Sequence, residues 1–131
     1  MKLFLQIDIG DWKHSAYSRP LLNYASSLSG DLLGTSLDSQ SEPFVVDIAL
    51  KVIDQAEKIF LFVDIKDPEA PLGSVNKVFN HLLKSRSKVS RAVMSGSHEM
   101  AEKILKSSGA TFSLENDSDK IKGLIEDYSK S

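Results

Sequence analysis

The stretch IFLFVDIKDPEAPLGSV, residues 59–75, decides how the rest of the chain is arranged. Ile59 to Val63 is an unbroken apolar run. A strand with one solvated face alternates apolar and polar residues; a strand covered on both faces in a parallel sheet reads as continuously apolar. The run ends at Asp64, and a loop with two further acids, Asp67 and Glu69, and two prolines, Pro68 and Pro71, follows. Gly73 and Ser74 close the loop, and Val75, Val78, Phe79, Leu82 and Leu83 then recur at helical spacing. Ser74 is a candidate cap for that helix. Strand, loop and helix in this order form one arm of a βα repeat.

The same unit recurs on either side. KLFLQIDI, residues 2–9, reads as a strand, and the polar loop GDWKHSAYS follows it. Ser18, Arg19 and Pro20 predict a helix start, with Leu21, Leu22, Ala25 and Leu28 on its apolar face and Gly30 as its stop. DLLGTSL, residues 31–37, is a second strand weakened by Gly34. Ser41, Glu42 and Pro43 repeat the cap-then-proline signal, and Phe44, Val45, Ile48, Ala49, Val52, Ile53 and Ala56 follow a helical period. After residues 59–83 come a strand at Val89 to Met94, then a helix marked by Met100, Ala101, Ile104 and Leu105 that stops near Gly109. A short strand, ATFSL, is next. The last helix is capped by Asp117 or Ser118 and carries Ile121, Leu124, Ile125 and Tyr128.

Strands and helices alternate five times. That pattern predicts a parallel sheet with helices on both faces. Five strands in 131 residues match one flavodoxin-like three-layer α/β/α sandwich, strand order 2-1-3-4-5, spanning residues 1–131. No repeat or linker interrupts it.

Composition narrows the function classes. The chain is 41% apolar and 26% charged with net charge −2, which gives no electrostatic ground for nucleic acid or an anionic membrane as partner. With no cysteine, a disulfide framework, a thiol nucleophile and thiolate zinc sites are excluded. No apolar run approaches the length of a membrane span, and the N-terminus does not read as a signal peptide. A cytoplasmic protein is expected.

Ligands of such sheets bind at the carboxyl ends of the strands, beside the point where strand order reverses. The candidate ligand-binding residues are therefore Asp8, Asp11 and Trp12 after the first strand, Asp64, Gly73 and Ser74 after the third, and Ser95, Ser97 and His98 after the fourth. Each has a structural reading too. Asp64 and Asp67 can brace a turn that Pro68 and Pro71 already stiffen. Asp8 can be a solvated strand end, and Trp12 can fold back over the core. His14 and His98 lie far apart in sequence, which is a weak metal signal, and His81 falls on a helix surface. Neither dinucleotide nor P-loop glycine motif is present. An acid leads the first rim loop, where a flavin phosphate needs hydroxyls, so flavin is not expected. No catalytic residue, cofactor or metal ligand is assigned.

VIDQAEKIFLFVDIKDPEAPLGSVNKVF, residues 52–79, resembles the centre of the nucleoside deoxyribosyltransferase-like group, whose wider relatives are TIR domains. Ala56-Glu57, the run to Asp64, and Gly73-Ser74 carry the likeness. It implies a nucleoside or nucleotide ligand. The group's nucleophilic glutamate falls at Lys77, and a lysine cannot form a glycosyl ester. If Lys77 faces the rim, Asp64 or Asp8 is its expected partner. A second likeness is to response-regulator receiver domains, through Asp64, Ile65 and Pro68, Ser95-Gly96, and residues 106–128. There the lysine expected after the last strand is replaced near Glu115-Asn116. In both, the residue that does the chemistry is missing. The expectation is a non-catalytic module binding a nucleotide or nucleoside. The alternatives are a degenerate receiver-like interaction domain, working through a homodimer or another protein, and an N-glycosidase or transferase using a displaced acid, Asp67 or Glu69.

Overall fold

The computed structural model describes residues 1–10, 19–28 and 30–131. Among them, five strands form one all-parallel sheet in the order β2-β1-β3-β4-β5, as the alternation predicts. The strands are β1 (Lys2–Ile9), β2 (Leu32–Asp38), β3 (Lys58–Ile65), β4 (Val89–Ser95) and β5 (Thr111–Leu114). The helices are α1 (Pro20–Ser26), α2 (Pro43–Gln55), α3 (Val75–Lys84), α4 (Glu99–Lys106) and α5 (Ser118–Lys130). No helix among the described residues is long and apolar enough to cross a membrane.

Strand β3 is the centre. It pairs with β1 from Lys58 to Ile65 and with β4 from Ile59 to Asp64. Its side chains alternate between two cores. Ile59, Leu61 and Val63 join Leu3, Leu5, Ile7 and Ile9 of β1 against α2, α3 and α4. Phe60 and Phe62 join Phe4 and Val93 against Leu21 and Ala25 of α1 and Ile121, Ile125 and Tyr128 of α5. The second core is aromatic. The Phe4 and Phe60 rings are 5.5 Å apart, and Tyr128 meets Phe60 edge-on at 5.5 Å. Burial pushes the Tyr128 phenol up, and its O–H donates to the Leu3 carbonyl at 3.2 Å.

Three expectations at helix ends change, and a fourth falls outside the described residues. Ser18 lies outside the described residues. α1 stops at Ser26, before Gly30. Ser41 does not cap α2; its hydroxyl accepts from the Asp38 N–H, which turns the chain out of β2. Ser74 does not accept from α3 either; its hydroxyl donates to the Ser41 carbonyl at 2.6 Å. Asp117 does cap α5, accepting from the Asp119 N–H at 2.9 Å.

Three apolar residues assigned to helix faces point outward: Phe44, Ile48 and Met100 are exposed. α2 packs through Val46, Ala49 and Ile53, and Phe44 and Ile48 each lie two residues, about 200°, from Val46. α4 packs through Ala101 and Leu105, which turns Met100 away.

This contrast is measurable. Phe60→Ala removes a fully buried ring and should cost about 3–5 kcal/mol in urea unfolding. Phe44→Ala, at a side chain 60% exposed, should stay within about 0.5 kcal/mol of the parent.

Candidate functional site

Parallel pairing without offset at the top of the sheet lines up the strand ends. Asp8 of β1 is in register with Asp38 of β2 and with Asp64 of β3, and Asp64 is in register with Ser95 of β4. Paired residues share a face, so this is one polar row. It lies on the side that carries Gln6, Phe62 and the aromatic core.

Three carboxylates in a row repel, and two cations separate them. Arg19, just before α1, donates through Nε to Asp8 Oδ2 at 2.9 Å, and its Nη2 is 4.0 Å from Asp38 Oδ2. Lys66, two residues beyond Asp64 and so on its face, places Nζ 2.7 Å from Asp64 Oδ2. Asp8 is 1% exposed. Burial pushes its carboxyl above the ordinary aspartate value of 3.8. The amide of Gln6 and the guanidinium of Arg19 pull it back, and the Asp64 charge adds to the rise.

Below the row lies a cavity of about 310 Å³. Gln6 and Phe62 form its floor, Asp64, Lys66 and Ser95 lie along the strand ends, and Pro20, Leu21, Ser118 and Ile121 are walls from α1 and α5. Asn116 closes one side. Its Oδ1 accepts from the Gly96 N–H at 2.8 Å and from Ser95 Oγ at 3.3 Å, which turns its amide N–H groups away from those partners. Gln6 is the least expected member. Its Nε2 donates to Asp8 Oδ1 at 2.9 Å, while its Oε1 has no partner among the described residues although the side chain is only 3% exposed.

The predicted residues divide into three groups. Asp8, Asp64 and Ser95 meet in the row, and Asp64 and Ser95 line the cavity. Asp11, Trp12 and His14 lie outside the described residues. Gly73, Ser74 and His98 serve the fold. Gly73 has φ +54°, and a Cβ there would run into the Ser39 carbonyl, which the Ser74 N–H needs as its acceptor at 3.1 Å. His98 caps α4: its Nδ1 accepts from the Ala101 N–H at 3.2 Å. An N–H can only donate, so the ring proton sits on Nε2, which donates to the Ala70 carbonyl at 2.7 Å. Ser97 is exposed beside it. Lys77 leans on neither Asp64 nor Asp8. Its Nζ meets Asp47 Oδ1 of α2 at 3.4 Å, because Val78 and Phe79 set the buried side of α3. His81 pairs with Asp54 at 2.7 Å along the same α2–α3 seam.

Asp67 and Glu69 line a second, more open cavity of about 650 Å³ that shares Lys66 with the first. Asp67 Oδ1 accepts from the Glu69 N–H at 2.9 Å, so it braces the loop as its structural reading holds. Among the described residues no group of three or more His, Asp or Glu is placed to hold a metal ion. Comparison with family models, curated proteins and solved structures finds no match to this chain.

Gln6, Lys66, Asn116 and Ser118 are the site residues that sequence reasoning missed. Gln6 did leave a signal. It is the one polar residue between Leu3 and Ile7, two places before Asp8 and therefore on the same face.

Two measurements follow. His98→Ala should destabilise the fold by about 1–3 kcal/mol in urea unfolding, from the lost cap and the lost loop bond. His98→Asn should recover part of that, since Asn caps but cannot reach Ala70. A carbon-13 titration of the Asp8 carboxyl should give a midpoint above 3.8. The folded state then holds the Asp8 proton more tightly than the unfolded state does. The contribution of Asp8 to stability is therefore greatest below 3.8 and declines as pH rises through the folded midpoint.

Proposed function

We propose that the chain is a non-catalytic nucleotide- or nucleoside-binding module, related to the nucleoside deoxyribosyltransferase-like group and working in the cytoplasm. The observation that carries this reading is Gln6, a buried side chain that lines the cavity and whose Oε1 has no hydrogen-bond donor among the described residues. Native proteins satisfy such atoms with protein, ordered water or a ligand. The cavity lies where strand order reverses between β1 and β3, the usual ligand position in this architecture.

Size and lining support the same class. A volume of about 310 Å³ is at the small end of ligand pockets. Phe62, Leu21 and Ile121 offer apolar contact for a flat ring. Ser95, Ser118 and the Asn116 amide offer polar contact for a sugar or phosphate. The non-catalytic part rests on the carboxylates. Asp8 and Asp64 each sit against a cation, and the family's nucleophile position, Lys77, is turned to Asp47. A carboxylate held in an ion pair is a poorer nucleophile and a poorer base than a free one.

The row Asp8, Asp64 and Ser95 favours a second reading, a degenerate receiver-like domain. There the acids would face a phosphate and Mg²⁺, and the protein would act through one of its surfaces.

Thermal unfolding separates the two. Nucleosides or nucleoside monophosphates at millimolar concentration should raise Tm, because a ligand bound only by the folded state stabilises it by about 2.7 kcal/mol at one hundred times Kd. Trp12, the single tryptophan, should report the same binding by fluorescence. A panel that moves neither signal sinks the nucleotide reading. A shift with Mg²⁺ and a phosphate mimic alone transfers support to the receiver.

A further inference from the structure

The two edges of the sheet are not alike. β5 is four residues long, and a very short edge strand is one of the devices that keep a sheet from pairing with other chains. β2 runs for seven residues in unbroken register with β1, and LLGTSL, residues 32–37, holds none of the charges, prolines or bulges that guard an edge. The Ser39 N–H donates to the Asp8 carbonyl of β1. Backbone groups alternate along a strand, so those of Gly34 and Ser36 point away from the sheet, and among the described residues no strand covers them. An apolar ledge overhangs this edge. Leu33 is in register with Leu3, so it lies on the face that carries α2, and it is 44% exposed. On α2, Asp47 and Asp54 mark the side turned to α3. Val45 and Val52 lie about 160° and 140° round the helix from Asp47, on the β2 side, and Ile48, 54% exposed, extends their stripe outward. Phe44 leans the other way and takes no part.

We propose that the β2 edge and this ledge are a homodimer interface, in which two copies pair β2 antiparallel about a two-fold axis at Thr35 and join their sheets into one. A second copy is the occupant because the surface is complementary to itself. With the axis at Thr35, Gly34 of each copy lies opposite Ser36 of the other, so outward groups meet outward groups, and Leu33 lies opposite Leu37 on the α2 face. No like charges are opposed, since Asp38 falls beside Leu32. One axis serves both layers: Thr35 is the middle residue of β2 and Ile48 is one residue from the middle of α2, so the two Ile48 side chains meet across it. Size agrees as well. Seven residues make an edge about 23 Å long, and three layers are about 30 Å deep, which gives about 700 Å² per copy against about 800 Å² in a typical stable interface.

Sedimentation equilibrium on the full chain tests this. At tens of micromolar it should show twice the chain mass. Ile48→Glu sets two carboxylates against each other at the axis and should weaken dimerisation at least about tenfold. Ile48→Lys should do the same, and an equimolar mixture of the two variants should recover the dimer, because one acid then faces one ammonium. Leu33→Lys, which puts a guarding charge on the edge itself, should also weaken the parent dimer. Amide exchange at Gly34 and Ser36 should slow as the concentration of the parent rises, while the amides of β5 should not change. That measurement decides alone where a variant does not fold. A monomer throughout the concentration range overturns the proposal. So does a dimer that Ile48→Glu and Leu33→Lys both leave within about threefold of the parent constant, as substitutions far from an interface would. A mixture of the Ile48 variants that stays monomeric overturns the two-fold arrangement.

Discussion

The central constraint is that β3 is covered on both faces and paired on both edges. Backbone N–H and C=O groups buried away from water must find partners, and β1 and β4 supply them along nearly the whole strand. The rest of the architecture follows from that demand. The side chains of β3 alternate into two separate cores, so each face needs its own helices, and parallel neighbours need crossovers long enough to be those helices. On the aromatic side the core stops short of the carboxyl ends of the strands. There the chain turns polar at the same register in β1, β2, β3 and β4, and a band of Asp and Ser caps the apolar layers.

That band sets the electrostatics. Register alone brings like charges side by side on adjacent strands, an arrangement that destabilises a sheet unless it is screened or paired. Arg19 enters from the start of α1 and Lys66 from the first residue past β3, one cation on each side of the reversal point. The Asp8 carboxylate, between Gln6 and Arg19, is then fully committed within the protein. The cost of that commitment is the odd atom on the other end of Gln6. Polarity in this site is thus organised from the inside outward, beginning with a buried acid and ending at the cavity.

The fold was legible because its signals are periodic. A run such as Ile59 to Val63, and apolar residues spaced as in Val75, Val78, Phe79 and Leu82, depend on local chain geometry that one sequence displays. Loop and cap chemistry was less so. Ser41 and Ser74 both follow the pattern of helix caps, yet the Ser41 hydroxyl closes the local β2–α2 turn and the Ser74 hydroxyl reaches across to that turn, the second a choice made by tertiary proximity. His98 looked like a rim ligand for the same reason: its sequence neighbourhood gives no hint that the Ala70 carbonyl lies within reach. The row of Asp8, Asp64 and Ser95 was legible because strand ends coincide in a parallel sheet. Asn116 and Ser118 were not, since only the docking of α5 brings them to the cavity.

The position of β1 in the sheet has a consequence for biosynthesis. It is the earliest of the five described strands, yet its partners are β2 and, across the reversal point, β3. Between Lys2 and Lys58 a ribosome working at 5–20 residues per second needs roughly 3–11 s. For that interval Leu3, Phe4, Leu5 and Ile7, all fully buried in the finished protein, have at best one edge covered. A nascent strand of this kind is a natural target for a holdase at the exit tunnel, and the residues that make the mature sheet most secure are those most exposed to capture while it is being made.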